Sequence, residues 1–305
     1  MRDQVECGDG WEPGSAVNTT DAVRPWKSQL LKWVGTKQRY AHEIISHFPK
    51  AFGTYHEPFL GAGGVLGVLA PARAQASDSF APLIGIWQAL RDDPETLVEW
   101  YRSRWQAADA GDRDAVYENV RSRFNARRTP ADLIYLSRAA YGCVIQFRRR
   151  DGHMSTPLGQ HRPIHPDKFA AKVAAWTARV QGTRFHRRDY AESFGRARAG
   201  DVVYCDPPYS HSQSILYGAQ GFDLDDLFAR IARAKDRGVF VALSLDGAKK
   251  SGGVICDHRW PAGLFAREVP VNLGASMLKR FQMEGRSLDG ERVVDRLLLT
   301  HDVNR

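Results

Sequence analysis

Apolar residues follow two different spacings along the chain, and the change between them divides it into parts. Short strands are predicted where β-branched and aromatic residues cluster, at 54–59, 184–186, 202–205 and 239–245. From residue 84 to about residue 140, apolar residues instead recur every three or four positions, which predicts a series of helices. Strands that alternate with helices are typical of an α/β fold with a mainly parallel sheet.

The remaining pattern predicts how these elements are grouped. Helices are also predicted at 35–48, 65–69 and about 166–179. A further strand is predicted to end at residue 78, and an antiparallel pair of edge strands is predicted at 267–271 and 292–300. Residues 1–27 are polar and lack periodicity, which predicts a flexible tail. The pattern therefore predicts a sheet domain in two pieces, 28–82 and 185–305, interrupted by a mainly helical insert at 83–184.

The predicted insert carries a hairpin and most of the positive charge. The hairpin is predicted at 144–154, where Arg148, Arg149 and Arg150 precede an Asp-Gly turn signal. The chain has a net charge of +8, and residues 100–200 hold 20 Lys and Arg against 9 Asp and Glu. Because cationic side chains release counterions when they contact phosphates, this concentration favours DNA as a partner, the alternative being an arginine-rich solvated surface.

The segment after the predicted strand 202–205 carries the most specific chemistry. The strand leads directly into Asp206, Pro207, Pro208 and Tyr209. A carboxylate in this position can accept a hydrogen bond from the exocyclic amine of a base, and a proline turn leaves backbone carbonyls free to accept a second. The tyrosine ring can stack on the base. An isolated Asp-Pro pair is otherwise a common turn.

A glycine-rich turn follows the first predicted strand. Phe59, Gly61 and Gly63 have the spacing Phe-x-Gly-x-Gly. Glycines allow backbone to approach a ligand at the carboxyl end of a parallel strand, but the third glycine of the dinucleotide fingerprint is missing, so a pyrophosphate cofactor is not favoured. About fifteen residues later, Asp78 ends the next predicted strand, where its carboxylate can bind ribose hydroxyls; the alternative is a solvated surface residue.

Together these motifs resemble those of the α-class, Dam-like family of DNA adenine methyltransferases. Residues 31–37 are similar to the family's opening Lys-Trp-x-Gly-Gly-Lys segment, the glycine turn is similar to its Phe-x-Gly-x-Gly loop, and residues 206–209 match its catalytic Asp-Pro-Pro-Tyr. The motifs also occur in the α-class order. Thr36 replaces the second glycine of the opening segment, and Phe80 stands where the family often has Asn.

The resemblance implies an α/β fold: a Rossmann-like S-adenosylmethionine-dependent methyltransferase sheet with an inserted, mainly helical target-recognition domain that carries a β-hairpin. S-adenosylmethionine would be the methyl donor. Lys37 is expected to hold its carboxylate and Trp33 to line its pocket, the alternatives being a surface lysine and a packed tryptophan. Asp189 is expected to accept from the adenine amine of the cofactor beside Tyr190, unless its flanking arginines pair with it.

The implied reaction is methyl transfer to the N6 amine of an adenine that is flipped out of double-stranded DNA. The resemblance makes Asp206, Pro207 and Tyr209 catalytic, with the inserted hairpin as the candidate wedge and Lys279 and Arg280 as a second candidate DNA contact. The transfer needs no metal, and the irregularly spaced histidines of the insert are expected to lie at the surface. A homodimer and a cognate restriction endonuclease are possible partners.

Three other functions stay open from the sequence. A cytosine-N4 methyltransferase would use the same fold and chemistry, but such enzymes more often have Ser where this chain has Asp206. An RNA or protein-glutamine methyltransferase usually has Asn at that position and lacks a long basic insert. The third alternative is a catalytically inactive DNA-binding relative, against which the complete glycine turn and Asp-Pro-Pro-Tyr argue.

Composition adds an expected location. No stretch approaches the roughly 20 apolar residues of a membrane span, and the first 25 residues lack the apolar centre of a signal peptide. The sequence therefore predicts a cytoplasmic, bacterial or phage-encoded protein that associates with the nucleoid by binding DNA. The four cysteines are far apart and are expected to be thiols, with Cys205 a small buried strand residue.

Overall fold

The structure is a computed structural model that describes residues 17–33, 35–208, 222–249, 259–275 and 292–303. Its strands are β1 (Asn18–Thr19), β2 (Ala51–Phe52), β3 (Tyr55–Glu57), β4 (Ala74–Asp78), β5 (Thr183–Arg187), β6 (Val202–Cys205), β7 (Phe240–Lys249), β8 (Arg267–Ala275) and β9 (Arg292–Leu299). Its α-helices are α1 (Ala41–Ile45), α2 (Gly64–Leu69), α3 (Ala81–Asp92), α4 (Pro94–Ala110), α5 (Arg113–Arg127), α6 (Pro130–Ala139), α7 (Pro166–Arg179), α8 (Tyr190–Arg196) and α9 (Leu224–Asp236).

Seven strands form the central sheet in the order β5-β4-β3-β6-β7-β9-β8. The first five in this order are parallel, while β9 runs antiparallel to both β7 and β8. The predicted mostly parallel α/β sheet with an antiparallel pair at one edge is therefore confirmed. The chain goes outward from β3 to β5 and then returns to β6 on the other side of β3. Ligands of open α/β sheets bind at such a switch point, at the carboxyl ends of the strands.

Helices cover both faces of this sheet, which explains why its central strand is apolar throughout. Val202 and Tyr204 of β6 belong to a core that includes α1 to α7, whereas Val203 and Cys205 belong to a second core with α8 and α9. A parallel strand buried on both faces shows a continuous apolar run instead of an alternating one. Cys205 is fully buried, as predicted.

The predicted helical insert contains α3 to α7. Trp87 and Tyr101 are fully buried in its core, as their helical spacing indicates. Asp132 is also fully buried, and its Oδ1 accepts hydrogen bonds from Arg104 at 2.8 Å and from Arg123. This pair of arginines ties three helices together, because α4, α5 and α6 each contribute one of the three side chains. Where the insert begins and ends as a domain stays a prediction.

Two predicted segments differ from the structure near the amino terminus. The helix expected at 35–48 covers only Ala41–Ile45, because Gly35 has a left-handed φ of 83° and the residues that follow it form turns. The expected tail at 1–27 includes Asn18, which is buried and donates hydrogen bonds from its amide to the carbonyls of Gly53 and Arg73. These bonds hold the end of that segment against the sheet.

The predicted hairpin is present as a short, irregular turn. Phe147 and Met154 form an isolated antiparallel bridge, and the Arg148 backbone N–H donates to the His153 carbonyl at 2.9 Å. Gly152 has a φ of 66°, which suits glycine and closes the turn. The arginines of the run therefore lie at the tip of the hairpin. Within the described ranges, no helix combines the length and apolarity needed to span a membrane.

Candidate active site

A cavity of about 320 Å³ lies at the carboxyl ends of β3, β4 and β6, where the chain reverses its direction across the sheet. Most residues singled out from the sequence line it: Trp33, Lys37, Phe59, Gly61, Asp78, Asp189, Tyr190, Asp206 and Pro207. Gly63, the N-cap of α2, does not line the cavity, although its neighbours Ala62 and Gly64 do. Tyr209, Lys279 and Arg280 are outside the described residues.

Asp206 is paired with Lys37 at the floor of this cavity. Asp206 follows β6 directly, and its Oδ1 accepts a hydrogen bond from Lys37 Nζ at 2.6 Å. Asp295, from β9, brings its Oδ2 within 3.6 Å of the same Nζ. Burial lowers the pKa of Lys37, but the two carboxylates outweigh that effect and leave the pKa above its ordinary value. Lys37 is therefore a buried cation held by two anions.

Glu57 is a second buried acid at the site, and it was not among the residues predicted from the sequence. It is the last residue of β3, and its Oε2 accepts from the Tyr55 hydroxyl at 2.8 Å and from the Leu66 backbone N–H at 3.0 Å. Burial, with a smaller contribution from Asp206, raises the pKa of Glu57 to about 8 despite both hydrogen bonds. An acid that ends an apolar strand was the available signal, since the same pattern identified Asp206.

Asp78, the last residue of β4, joins that strand to the glycine turn. Its Oδ2 accepts from the Gly61 backbone N–H at 3.1 Å and its Oδ1 accepts from the Phe80 backbone N–H at 2.9 Å. Burial raises the pKa of Asp78, and these backbone donors oppose that rise. Asp78 is therefore not a solvated surface residue; it fixes the loop that forms one side of the cavity.

The glycines of the turn are required by protein packing. Gly61 and Gly63 have φ values of 47° and 60°, in the left-handed region that favours glycine. A Cβ on Gly63 would lie 2.9 Å from the Trp87 ring, and a Cβ on Gly61 would lie 3.4 Å from the Trp33 ring. Trp87 also donates from Nε1 to the Gly61 carbonyl at 3.1 Å. The contacts with these two tryptophans thus hold the turn in the lining of the cavity.

Aromatic rings form another wall of the cavity. Phe59 and Tyr190 are stacked with ring centroids 5.3 Å apart, and the Phe222 ring packs edge-on against Phe59 at 5.8 Å. The Tyr190 hydroxyl donates to Asp226 Oδ2 at 2.7 Å, which fixes the ring in place. An apolar, planar wall of this kind suits a flat heteroaromatic ligand.

Asp189 begins α8 at the rim of the cavity. Its Oδ1 accepts from the Ala191 backbone N–H at 2.8 Å, the ordinary interaction of a helix-capping residue. The neighbouring Arg188 lies with its Nε 3.4 Å from Glu192 Oε1, so this arginine pairs along the helix. The role of Asp189 toward a ligand stays a prediction.

The hairpin of the insert reaches the cavity through aromatic contacts. Phe147 packs edge-on against Phe80 with centroids 5.7 Å apart, and Phe80 in turn lies 6.5 Å from the Trp33 ring. Arg148 and Arg150 both form ion pairs with Asp151 Oδ2, at 2.8 Å and 3.4 Å, and Arg150 keeps 76% of its side chain exposed. The base of the hairpin therefore contacts the lining of the cavity, and its tip carries exposed positive charge.

Comparison with known proteins gives a family for this arrangement. The D12 class N6 adenine-specific DNA methyltransferases match the chain over residues 33–249. The DNA adenine methylase of Vibrio cholerae serotype O1 is 30% identical over 228 residues, which cover 70% of this chain and 80% of the relative. The retron Ec67 DNA adenine methylase of Escherichia coli is 29% identical over 208 residues, covering 66% of this chain and 70% of the relative.

The chain belongs to the D12 class N6 adenine-specific DNA methyltransferase family. The predicted family and enzyme class are thereby confirmed. The matched segment begins at Trp33 and includes the glycine turn, the whole insert and Asp206. Among solved structures, the rRNA methyltransferase aviRa from Streptomyces viridochromogenes covers 88% of this chain, but its 13% identity and TM-score of 0.33 are too low to bear on this family's site.

One feature of this site, the presence of Asp295, could not be predicted from local sequence. Asp295 reaches Lys37 only because β9 pairs with β7, and no local signal distinguishes it within its strand. In the ranges that the structure describes, no group of three or more His, Cys, Asp or Glu side chains is placed to hold a metal ion.

The raised pKa of Glu57 predicts a pH-dependent stability. The folded protein keeps this proton between the ordinary pKa of 4.5 and about 8, so the free energy of unfolding should fall as pH rises through that window, by up to about 1.4 kcal/mol per pH unit. Glu57→Gln keeps the hydrogen-bond acceptor and removes the titration. Urea unfolding at about pH 5.5 and about pH 8 should show a smaller decrease for this variant than for the wild type.

The exposed Glu99 supplies the matched control, because Glu99→Gln changes a carboxylate whose side chain is 61% exposed. Its unfolding should follow the wild-type pH dependence. Parallel curves for Glu57→Gln and the wild type would contradict a raised pKa at this position.

Proposed function

We propose that this chain transfers a methyl group from S-adenosylmethionine to the exocyclic N6 amine of an adenine in double-stranded DNA. The observation that carries the proposal is the meeting of Asp206 and Pro207 with Asp78 and the glycine turn in one cavity of a D12 family member. An acceptor for an amine and a site for a nucleoside are both needed for this reaction. The described cavity supplies side chains for each.

The cavity suits the proposed methyl donor in size and in chemistry. Its volume of about 320 Å³ is that of a small-molecule site. We assign Asp78 to the ribose hydroxyls, the aromatic wall with Asp189 and Tyr190 to the adenine, and Trp33 and Lys37 to the methionine end. When bound, S-adenosylmethionine supplies a methyl group on a cationic sulfur, which is open to attack by a nitrogen lone pair. The carboxylates at the floor favour a cation there.

Asp206 and the Pro207 carbonyl act on the target amine in this proposal. Each accepts one hydrogen of the amine, which turns the nitrogen lone pair toward the methyl group. Asp206 need not remove a proton beforehand, because the amine becomes acidic only when its nitrogen is alkylated. Holding the reacting atoms at near-attack distance supplies much of the rate. Tyr209 keeps its proposed stacking role from the family motif.

An adenine inside a duplex cannot reach this cavity, so the proposal requires that the base leave the helix. Extruding a paired base costs a few kcal/mol, which contacts to the rest of the DNA must offset. The exposed arginines of the hairpin and the positive charge of the insert support phosphate contacts near the cavity. Family membership favours adenine over cytosine as the target.

The test of this function is mass spectrometry of nucleosides from duplex DNA incubated with the protein and S-adenosylmethionine. We expect N6-methyladenine. Finding N4-methylcytosine would redirect the proposal to cytosine, and finding no methylated nucleoside on any duplex sequence would leave a DNA-binding relative without activity.

Asp206→Ala should reduce turnover to less than about a tenth of the wild-type value, a loss of more than about 1.4 kcal/mol of transition-state stabilisation. The fold should persist because Lys37 keeps Asp295 as a counter-charge. Transfer of tritiated methyl groups to duplex DNA measures the effect, with Asp92→Ala, which removes an exposed carboxylate, as the control. Retention of more than about a tenth of the activity would exclude the proposed role.

Asp78→Ala and Gly61→Val should each weaken S-adenosylmethionine binding by about tenfold or more. The first removes the acceptor that holds the Gly61 N–H, and the second places a branched side chain at a φ of 47° beside the Trp33 ring. Calorimetric titration measures both. Affinities equal to the wild type for both variants, with DNA affinity also unchanged, would mean that the cofactor binds elsewhere.

Replacing Arg149 and Arg150 by Ala should lower duplex-DNA affinity and flatten the plot of log affinity against log salt. The slope should change by up to about one unit for each phosphate that the variant no longer neutralises. Arg148 is left in place because it is the closer partner of Asp151, at 2.8 Å against 3.4 Å for Arg150, and it also donates from Nε to Asp151 Oδ1. The charge-matched control is Arg233→Ala in α9 with Arg237→Ala at the C-cap of that helix, which covers the second core. Equal salt slopes for the two double variants would show that the hairpin tip does not bind phosphate.

A further inference from the structure

Lys37 lies between carboxylates from two strands that are not neighbours in the sheet. Asp206 follows β6 and Asp295 belongs to β9, with β7 between them. The Lys37 Nζ is 2.6 Å from Asp206 Oδ1 and 3.6 Å from Asp295 Oδ2. Asp295 lies beyond residues 33–249, the part of the chain that the family match covers.

The charges of this cluster exceed what a single ion pair requires. Lys37 and Asp295 are 5% and 2% exposed, so both charges are almost fully removed from water. One carboxylate is enough to neutralise the ammonium, so the second lies in place as an alternative counter-charge for it. Asp206 has another task in the proposed reaction, since it must accept a hydrogen bond from the target amine.

We propose that Asp295 is a positioning residue that holds the Lys37 ammonium when Asp206 turns to the target amine. The inference rests on the proposed function of Asp206. Lys37 would need to move by less than about 1 Å to bring its Nζ from 3.6 Å to hydrogen-bonding distance of Asp295. Lys37 thus keeps a counter-charge from the protein while Asp206 accepts from the amine, whether or not Lys37 also holds the carboxylate of the cofactor as proposed above.

The position of Asp295 in the sheet suits this role. Its backbone lies in the ladders on both sides of β9, opposite Asp246 of β7 and Val271 of β8. A residue held by two neighbouring strands has little freedom to move, whereas Asp206 lies just past the end of β6. Lys37 therefore faces one carboxylate held within the sheet and one that lies just past the end of its strand.

The other titratable groups at this site do not replace Asp295. Burial raises the pKa of Glu57 to about 8, so Glu57 is mostly neutral near pH 7. Burial also raises the pKa of Tyr204, with further contributions from Asp206, Glu57 and Asp295, and its hydroxyl lies 2.9 Å from Ser244 Oγ. Of the described carboxylates, Asp295 is the one besides Asp206 that lies within 4 Å of Lys37 Nζ.

The direct test is Asp295→Asn, which keeps the shape of the side chain and removes its charge. Lys37 would then have Asp206 as its remaining described carboxylate within 4 Å, so kcat should fall about tenfold while KM for S-adenosylmethionine changes by less than about threefold. Removing an anion also lowers the pKa of Lys37, so the alkaline limb of the kcat profile should move to lower pH. A merely structural role for Asp295 predicts neither the kcat-specific loss nor the moved limb.

Two further variants separate the effect of the Asp295 charge from the effect of altering a strand at this edge of the sheet. Glu268→Gln neutralises a carboxylate on the adjacent β8 that is 47% exposed, and it should leave kcat and the pH profile unchanged. Asp295→Glu keeps the charge and should stay within about threefold of the wild-type kcat with an unmoved alkaline limb. If Asp295→Asn did not fold, Asp295→Glu alone would decide, and an alkaline limb moved to lower pH in that variant would overturn the proposal.

A second readout needs neither DNA nor cofactor. In protein labelled with ¹³C at lysine Cε, the Lys37 signal is identified by its loss in Lys37→Arg, and its titration is followed by NMR. We expect the Lys37 pKa to be lower in Asp295→Asn than in the wild type. An unchanged Lys37 titration, or a wild-type kcat in Asp295→Asn, would overturn the role of Asp295. Absence of methyl transfer by the wild-type protein would instead refute the proposed function and leave the NMR result intact.

Discussion

The pairing of β3 with β6 is the constraint on which the site depends. It brings Tyr55 and His56 opposite Val202 and Val203, which are about 147 residues away along the chain. A buried contact secures this pairing, because His56 Nε2 lies 3.0 Å from Asp201 Oδ2 and Asp201 Oδ1 accepts from the Thr54 backbone N–H at 2.7 Å. With the strands in this register, the glycine turn and Asp206 emerge at the same edge of the sheet.

Ion pairs and packing hold the other segments of the site at this edge of the sheet. The ion pair between Lys37 and Asp206 holds the segment around residue 37 at the site. The contact between Lys37 and Asp295 holds β9 there. Ion pairs buried this deeply stabilise little in net terms, since desolvation offsets most of the attraction, but they penalise any arrangement that leaves one charge alone. The cluster therefore specifies the geometry of the cavity floor more than it adds to stability.

The insert is joined to the same cavity through apolar contacts. Phe80 follows the Asp78 loop and packs between the Trp33 ring and Phe147 at the base of the hairpin. Phe80 thus links the proposed DNA-binding hairpin to the side of the cavity proposed to bind the cofactor. The part of the chain proposed to bind DNA and the part proposed to bind the cofactor are therefore joined by this aromatic contact, which fixes the distance between them.

Local sequence signals were enough to predict several elements: the apolar strand before Asp206, the glycine turn, the helical spacing of the insert and the order of motifs that identifies the family. These signals are local because strand burial, left-handed backbone and helical periodicity are properties of neighbouring residues. Three features are visible only in the folded chain: Lys37 pairs with Asp206, Glu57 is buried with a raised pKa, and Asp295 completes the floor of the cavity. Each of these depends on which strands lie side by side, and on the loss of water around charges brought together from distant parts of the chain.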